Sequence, residues 1–425
     1  MSQQTADKPS LSGVKIKARK GAVKKSAKYE PSTFRDQLYS YLETVPEGDF
    51  TGFYNQLVQA GSTLEFLKYA DPLFEILLAG GLLQPGGQYV QDGAPMSPFS
   101  ILKAKEPAEI DDLKKYVDVF NKLIRRYKYL QRPLEETSLP SVLQYVSRWE
   151  PEQQAKFAMT VGLLMGQGIV TAACLQTLTK EAVVKNDVAI SVVTFIFKAY
   201  LSEQSMDHLG SNMRKNGIKD LTMFLPPNKR NLKTVEDHFR KEGLAVVADY
   251  VNKRQTTQAK DVIIKTVKEM CKDDSYSNEE MTENIKGLAE EQRVTDTDLL
   301  TCLWQGLMSS IDFSQEQLDA SVIKTIEKFA PILEGFCSSG KNQVALINEA
   351  QLYCYEEKRI TKLFPQILKV LYNKDCISTQ AIQYWHQKGS KTQGRAHFLQ
   401  SASALVEYLK KQEEEDSEEE DEEEA

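Results

Sequence analysis

Apolar residues recur at helical spacing along almost the whole chain, and this pattern limits the fold more than any other feature. From Phe34 to Val45 they fall at positions i, i+4, i+7, i+8 and i+11, which makes one face of a helix apolar. Comparable stripes cover residues 113–127, 151–165, 183–201, 285–292, 297–311, 318–336, 343–355 and 360–372. The only hint of strand-like alternation is in a Gly/Pro-rich stretch around 88–102. We therefore predict an all-α chain, broken around residues 84–107.

The predicted helices are short, about 10–18 residues, and many are apolar on more than one side. Helices of this kind bury their faces by stacking as antiparallel pairs, as in HEAT-like α-solenoids. A polar stretch, "YVNKRQTTQAKD", lies near the middle of the chain and separates two helical blocks. We predict two tandem HEAT-like α-solenoid domains, residues 31–246 and 247–412. They follow a basic arm at 1–30, predicted to be disordered, and precede an acidic tail at 413–425.

Three sequence signals predict where helices begin. Pro151 suits a first-turn position, because the amide hydrogen that proline lacks is unused there. Ser277 with Glu280, and Ser314 with Gln317, match the capping box, in which two groups satisfy free amides of the first turn.

Charge is concentrated at the two ends of the chain. The formal net charge is −7, and 11 of the last 13 residues are Asp or Glu, whereas residues 1–30 hold eight Lys or Arg and two acidic residues. The middle of the chain is therefore nearly neutral. Because carboxylates at this density repel one another, we predict that the last helix ends near residue 412 and that the tail is disordered. Such a tail is either a device for solubility or a binding site for a basic, lysine-rich partner.

The residues that carry enzyme chemistry or bind metals are sparse. The six cysteines form no C-x-x-C pair and there are only four histidines, so we predict no metal site and thiols that are reduced and mostly buried. Phosphate-loop, dinucleotide-binding, zinc-protease, nucleophile-elbow and EF-hand motifs are absent. No apolar run suits a membrane span or a signal peptide. We expect a cytoplasmic protein with no catalytic residue, no cofactor and no membrane contact.

The spacing of three leucines behind the basic arm suggests one DNA-binding arrangement, a leucine zipper. Leu57, Leu64 and Leu78 follow a seven-residue repeat behind the basic arm. A basic zipper is one continuous helix, but Pro72 would interrupt it and Asp71 occupies a position that should be apolar. We reject this interpretation.

The stretch "FNKLIRRYKYLQRP" at residues 120–133 interleaves basic and aromatic residues, namely Arg125, Arg126, Tyr127, Lys128, Tyr129 and Arg132. Arginine and tyrosine together offer charge and stacking, which suits RNA or an acidic partner. The apolar residues between 123 and 130 also form a stripe, so the alternative is an ordinary amphipathic helix with solvated cations. The residue types leave both interpretations open.

Two stretches near the carboxyl terminus carry the most specific signal. "LYNKDCISTQAIQYW" at 371–385, followed by "ALVEYLKKQEEEDSEEE" at 404–420, resembles the two aromatic/acidic boxes of a known HEAT domain. That domain, named W-two after its tryptophans, closes eukaryotic initiation factor 5 and the epsilon subunit of initiation factor 2B.

Individual residues of both boxes can be matched. Trp385 matches the tryptophan of the first box, and Tyr372 and Asp375 match its Y-x-x-D. Tyr408 stands where the second box usually has a tryptophan. We expect Tyr408 and Leu409 to pack against the rest of the domain.

The resemblance extends from about residue 30 to the end of the chain. "FRDQLYSYL", "YADPLFEILLAGGLLQPGG", "FNKLIRRYKYLQR" and "AQLYCYEE" are similar to the basic leucine zipper and W-two domain proteins, also called initiation factor 5 mimic proteins. The zipper of that name is the one rejected above. The resemblance implies a first domain like the middle domain of initiation factor 4G and a second domain of the W-two type.

The resemblance also implies partners. In that family the acidic, aromatic carboxyl terminus grips lysine-rich segments of the initiation factor 2 beta subunit, and the domain contacts initiation factor 3. Partner-binding roles are therefore implied for Tyr372, Asp375, Trp385, Glu407, Tyr408, Glu413, Glu414, Glu415 and Asp416. Initiation factor 5 also has a zinc ribbon that stimulates GTP hydrolysis, and its C-x-x-C pairs are missing here. The resemblance predicts a competitor of initiation factor 5.

The leading hypothesis is a non-enzymatic regulator of translation initiation that acts on the ribosomal pre-initiation complex. Two alternatives remain open. One is an RNA-binding translational repressor that acts through residues 120–132, with contacts from Arg125, Arg126, Lys128 and Arg132. The other is a guanine-nucleotide exchange factor, by analogy with the epsilon subunit, although the sequence identifies no catalytic determinants for it.

Overall fold

The computed structural model describes residues 28–90 and 95–423, with side chains described up to residue 412. In these ranges the regular elements are helices, and the one trace of β structure is an isolated antiparallel bridge between Leu83 and Tyr89. The predicted all-α class is confirmed. The disorder predicted for the basic arm falls on residues 1–27, outside the described residues. Within the described ranges no helix combines the length and the apolar character that a membrane crossing needs.

The chain divides into two compact units between Leu244 and Ala245. The α-helices of the first unit are α1 Pro31–Leu42, α2 Phe50–Thr63, α3 Ala70–Ala79, α4 Ile110–Arg126, α5 Gln131–Pro133, α6 Leu139–Leu143, α7 Pro151–Gly166, α8 Glu181–Val184, α9 Val188–Leu201, α10 Met206–Lys215 and α11 Leu232–Lys241. A π-helical turn, Leu134–Ser138, joins α5 to α6. Short 3₁₀ helices lie at Ile101–Lys103, Lys128–Leu130, Val146–Arg148, Ala172–Thr179, Lys185–Asp187, Leu221–Phe224 and Pro227–Lys229.

Helix α7 lies in the core of the first unit and is buried along most of its length. It packs tightly on α9, and Gly162 allows this close approach. A Cβ atom at this position would lie only 2.2 Å from the carbonyl oxygen of Ile196. Even Lys156 is inside, and its Nζ donates to the carbonyl oxygen of Leu102 and to Glu106 Oε1, both at 3.0 Å. These two bonds fasten the connection between α3 and α4 to the core.

The apolar stripe at 183–201 is not one helix. Asn186 and Asp187 have φ angles of 58° and 62°, in the left-handed region, and they separate α8 from α9. Asn and Asp enter this region at lower cost than most other residues with a side chain, so the interruption falls on the two residues best suited to it.

The second unit is built from two layers of helices. Its α-helices are α12 Ala245–Lys272, α13 Asn278–Gln292, α14 Asp296–Ser310, α15 Leu318–Glu334, α16 Gly340–Glu356, α17 Phe364–Asn373, α18 Thr379–Tyr384 and α19 Arg395–Glu423. A 3₁₀ helix, Lys358–Leu363, precedes α17, and a π-helical turn, Trp385–Gly389, extends α18. Helices α12, α14, α16 and α18 pack in succession, as do α13, α15, α17 and α19. This is the stacking of helix pairs that the sequence predicts, and the polar stretch at 250–261 lies inside α12.

The last helix departs from the expectation. Helix α19 runs from Arg395 to Glu423 and passes through the acidic block, whereas we predicted a helix end and disorder after residue 412. Glutamate is a good helix former, and adding a residue to an existing helix is far easier than starting one. The first half of α19 therefore serves as a nucleus, and the helix continues despite repulsion among the carboxylates.

Candidate partner-binding surfaces

Trp385, the tryptophan of the first box, lies in the core of the second unit and has no exposed surface. Its ring packs against Phe364 with the centroids 5.3 Å apart, and Phe364 packs against Phe398 at 4.9 Å. Its indole Nε1 donates to Gln351 Oε1 at 3.0 Å. A side chain buried this completely cannot touch a partner, so Trp385 is a core residue of the unit and not a contact residue.

Gln351 is the centre of a buried hydrogen-bond network. It has no exposed surface, and besides accepting from Trp385 it donates through Nε2 to two carbonyl oxygens, those of Lys391 at 3.0 Å and Gln393 at 2.8 Å. All the polar groups of this amide are therefore used inside the unit.

Asn348, one turn earlier on α16, completes the network. Its Nδ2 donates to the carbonyl oxygen of Gly389 at 2.9 Å, and its Oδ1 accepts from the Lys391 amide at 3.1 Å. Together the two amides hold the loop that leads from Trp385 into α19. We did not predict a role for either residue from the sequence. The one sign of them there is that two neutral amide side chains interrupt the apolar stripe at 343–355.

Tyr372 and Asp375, the Y-x-x-D of the first box, form the carboxyl-terminal end of α17. Asp375 is exposed and has a φ angle of 58°, and the Cys376 amide next to it donates to the carbonyl oxygen of Leu371 at 2.9 Å. This is the geometry of a helix that ends in a left-handed residue, which Asp tolerates better than most. Tyr372 is half-buried against the core. This part of the box therefore specifies a helix end.

The second box lies on α19. Leu409 is 1% exposed and packs in the core as predicted, whereas Tyr408 is 58% exposed, so the expectation that Tyr408 packs is wrong. Adjacent residues of a helix lie about 100° apart, and only one of the two can face the core. Glu407 is exposed beside Tyr408.

The acidic residues of the second box continue α19 directly. Glu413, Glu414, Glu415 and Asp416 follow without a linker, and their side chains lie outside those described. The structure thus brings the predicted site residues from 407 onward onto a single helix. Trp385 and Tyr372 belong instead to the core and to a neighbouring helix end.

An acidic groove between α12 and α13 was not predicted. It has a volume of about 610 Å³, and its walls carry Glu269, Asp273, Glu283 and Glu291. Tyr276, 42% exposed, also lines it. Glu269 lies on α12 and Asp273 just after it, whereas Glu283 and Glu291 lie on α13. The several lysines of α12 conceal its share of the acidic residues in the sequence.

In the first unit, the basic-aromatic segment 120–132 has a fixed side and an exposed side. Tyr127 is fixed, because its hydroxyl donates to the carbonyl oxygen of Val58 at 2.9 Å and its ring fills the space beside Gly61. A Cβ atom on Gly61 would come within 2.7 Å of that ring. The cations are exposed, namely Arg125, Arg126, Lys128 and Arg132.

The cysteines are buried or half-buried free thiols, as predicted. Burial raises the pKa of all six thiols to about 12, so they stay protonated at neutral pH. Among the residues that the structure describes, no three His, Cys, Asp or Glu side chains are placed to hold a metal ion.

Known proteins match the chain along nearly its whole length. The model of the 5MP1/2 HEAT domain matches residues 16–261, and the W2 model, described as eIF4-gamma/eIF5/eIF2-epsilon, matches residues 342–419. "Protein krasavietz" of Drosophila melanogaster is 32% identical over 417 residues, which is 96% of this chain and of that protein. "eIF5-mimic protein 1" of Homo sapiens is 31% identical over 408 residues, 95% of this chain and 96% of that protein. The chain belongs to the eIF5-mimic protein family.

Membership of the eIF5-mimic family confirms the resemblance seen in the sequence and relates the chain to the translation initiation factor eIF5. Another relative, "eIF5-mimic protein 2-A" of Danio rerio, is 30% identical over 416 residues, 96% of this chain and 97% of that protein. The W2 match begins within α16, the helix of Asn348 and Gln351, and ends within α19. It therefore contains both boxes and the amide network that joins them.

Proposed function

We propose that this eIF5-mimic chain is a non-enzymatic, cytoplasmic regulator of translation initiation. In this proposal its acidic carboxyl-terminal unit binds lysine-rich segments of the initiation factor 2 beta subunit, and initiation factor 3, and so competes with initiation factor 5. The observation that carries the proposal is the continuity of α19, whose first half packs into the core and whose second half is the acidic block.

The packed half of α19 sets where the acidic half begins. Phe398, Ala402, Val406 and Leu409 are buried at intervals of three or four residues, which anchors one face of the helix. The acidic residues that follow belong to the same continuous element. A lysine-rich segment would therefore meet a helix that is already formed, which lowers the entropic cost of binding.

Tyr408 gives the proposed surface an aromatic contact. It is 58% exposed and stands just over one turn before the acidic block. An ammonium group over an exposed tyrosine ring gains about 0.5–1 kcal/mol, and the methylene stem of lysine can cover the ring as well. Tyr408 is thus proposed to touch the partner, whereas Trp385 acts by holding the helices in place.

Charge attraction is the main term in the proposed binding. Exposed ion pairs contribute only about 0.2–1 kcal/mol each, so several must act together. Dissolved salt screens such pairs beyond about 10 Å at 0.1 M and about 3 Å at 1 M. Binding should therefore weaken steeply as the salt concentration rises.

The chain lacks cysteine pairs from which the zinc ribbon of initiation factor 5 could be built, since its six cysteines form no C-x-x-C pair. We expect it to leave GTP hydrolysis on initiation complexes unaccelerated when added alone, and to slow hydrolysis when added together with initiation factor 5. Phosphate release measures both effects. Acceleration by the chain alone would contradict the proposed competition.

Binding of a labelled lysine-rich peptide from the initiation factor 2 beta subunit tests where the partner sits. The tail variant carries Gln at Glu413, Glu414 and Glu415 and Asn at Asp416. The groove variant carries Gln at Glu269, Glu283 and Glu291 and Asn at Asp273, so both variants lose four carboxylates. The tail variant should bind about tenfold more weakly at 0.1 M salt, as expected from the loss of several exposed ion pairs.

The groove variant should bind the peptide like the wild type. The reverse result would move the site to the groove between α12 and α13 and contradict the role of α19. Unchanged binding by both variants would make the acidic tail a device for solubility.

A further inference from the structure

A charged surface on the first unit is not used by the proposed function. Lys122, Arg125 and Arg126 stand at i, i+3 and i+4 on α4 and so share its exposed side. Lys128 and Tyr129 follow in the 3₁₀ turn after α4 and are also exposed. These five residues are called the cationic–tyrosine surface below.

The cations of this surface have no counter-ions in the part of the chain that the structure describes, since no carboxylate there lies within 4.0 Å of them. Arg132, just beyond the surface, is paired with Glu136 at 2.9 Å. Cations in the last turn of a helix offset its dipole, which accounts for Arg125 and Arg126, but Lys128 lies past the helix end. Unpaired cations at this density repel one another, and an anionic ligand would relieve that repulsion.

Tyr129 adds an aromatic face that is held in place. It is 43% exposed, and the centroid of its ring lies 5.7 Å from that of Tyr127. Tyr127 is itself fixed by its hydrogen bond to Val58 and by an edge contact with Phe66, at 5.8 Å between centroids. A ring backed in this way loses little freedom when a flat ligand stacks on it.

We propose that the cationic–tyrosine surface binds single-stranded RNA, with phosphates on the four cations and a base stacked on Tyr129. Surfaces that bind single strands without sequence preference combine these two features, a positively charged track and an exposed aromatic face. An acidic protein segment would satisfy the cations but would leave the Tyr129 ring unused. The inference is independent of α19 and of any lysine-rich partner.

Fluorescence anisotropy of a labelled oligouridine tests the assignment in the full-length chain. The triple variant Arg125→Gln, Arg126→Gln, Lys128→Gln should weaken binding at least tenfold at low salt. It should also reduce the slope of log affinity against log salt by about 2, since each lost phosphate contact removes about 0.7. Tyr129→Ala should weaken binding about tenfold and leave that slope unchanged, because stacking is not ionic.

Three exposed lysines scattered over the same unit, Lys103, Lys180 and Lys215, provide a matched control. Their triple Gln variant loses the same charge but should bind oligouridine like the wild type. The basic arm is present in every variant, so its own attraction for RNA cancels in the comparison. Every substituted side chain is exposed, and circular dichroism should report unchanged helix content.

Equal weakening by the two triple variants would overturn the proposal, as would a wild type that does not bind oligouridine at low salt. A third outcome would replace RNA as the ligand. If an oligoglutamate peptide binds the surface more tightly than oligouridine, and Tyr129→Ala changes neither affinity, the surface serves an acidic protein segment.

Discussion

The cationic–tyrosine surface and the acidic end of α19 carry opposite charge, and they relate to their hydrophobic cores in different ways. On α4 the buried apolar residues and the charged residues lie on opposite sides of the same turn, since Leu123 and Ile124 are buried while Arg125 and Arg126 are exposed. On α19 the buried and the charged residues lie at different positions along the helix axis, with Leu409 in the core and the acidic block after it. The cationic–tyrosine surface is therefore held in place whenever the first unit is folded. The acidic end of α19 is held only through the packed residues at the start of the same helix. Damage to the core should therefore affect the two surfaces differently.

The largest expected effect comes from removing the anchor of α19. Trp385→Ala should lower the free energy of unfolding of the second unit by about 3–5 kcal/mol, because it empties a fully buried aromatic site. Binding of the lysine-rich peptide should be lost, while binding of oligouridine to the first unit should persist. Urea unfolding and anisotropy measure both. Retained peptide binding by an unfolded second unit would show that the acidic segment acts without its anchor.

A smaller effect is expected from the network that positions α19. Gln351→Leu keeps the volume but leaves Trp385 Nε1 and the carbonyl oxygens of Lys391 and Gln393 without partners. Trp385 is fully buried, so its unpaired Nε1 costs about 1–3 kcal/mol, whereas the exposed residues Lys391 and Gln393 can offer their carbonyl oxygens to water. The second unit should therefore lose less stability than in Trp385→Ala, and α19 should detach more often. Hydrogen exchange of α19 amides should accelerate. Gln380→Leu, at an exposed position of α18, is the control and should leave exchange unchanged.

The first unit contains a half-buried ionisable side chain, that of Glu75. Burial raises the pKa of Glu75 from 4.5 to about 7, although its carboxylate accepts a hydrogen bond from the Leu83 amide at 3.0 Å. Between these values the unfolded chain binds fewer protons than the folded one, so the contribution of Glu75 to the free energy of unfolding falls as pH rises. Glu75→Gln should be more stable than the wild type above pH 7, by about 1–3 kcal/mol. Urea titrations at several pH values measure the difference, and a difference that does not vary with pH would contradict the prediction.

The smallest effect on stability is expected at Tyr408, the aromatic residue that α19 exposes. Tyr408→Ala should change the free energy of unfolding by less than about 0.5 kcal/mol, as is usual for surface substitutions. Loss of a cation–π contact should still weaken binding of the lysine-rich peptide by about two- to fivefold. Paired measurements of melting and anisotropy would separate this behaviour from that of Trp385→Ala. Unchanged peptide affinity would remove Tyr408 from the proposed surface.

Features that depend on one helical turn were predictable from the sequence. The capping box of Ser277 with Glu280 is present, and Pro151 begins α7. The box predicted at Ser314 is wrong, because the Ser314 amide and hydroxyl both donate to Asp312 Oδ1, at 2.9 and 2.7 Å, and α15 begins only at Leu318. The Asp312 carboxylate thus takes the Ser314 amide that the box would offer to Gln317, and the Ser314 hydroxyl donates to the same carboxylate instead of accepting from a helix amide.

The candidate site was predictable only in part. Resemblance picks out Trp385 and Asp375, yet these are a core residue and a helix end, because residues that specify the fold are the ones that give a family its signature. Gln351 escaped notice because it bonds to residues 40 and 42 positions away, and no local pattern encodes contacts at that separation. The burial of Leu409 and the exposure of Tyr408 follow from the rotation of one helix, which neighbouring helices set.

Because α19 is one continuous helix, its length beyond Leu409 is set by the helical rise per residue. At about 1.5 Å per residue, the helix carries Glu423 about 21 Å beyond Leu409. At physiological ionic strength a charge is felt over only about 8 Å, so the carboxylates near Glu423 act independently of those near residue 413. A positively charged chain that bound along α19 would therefore meet two separate groups of charges on one helix.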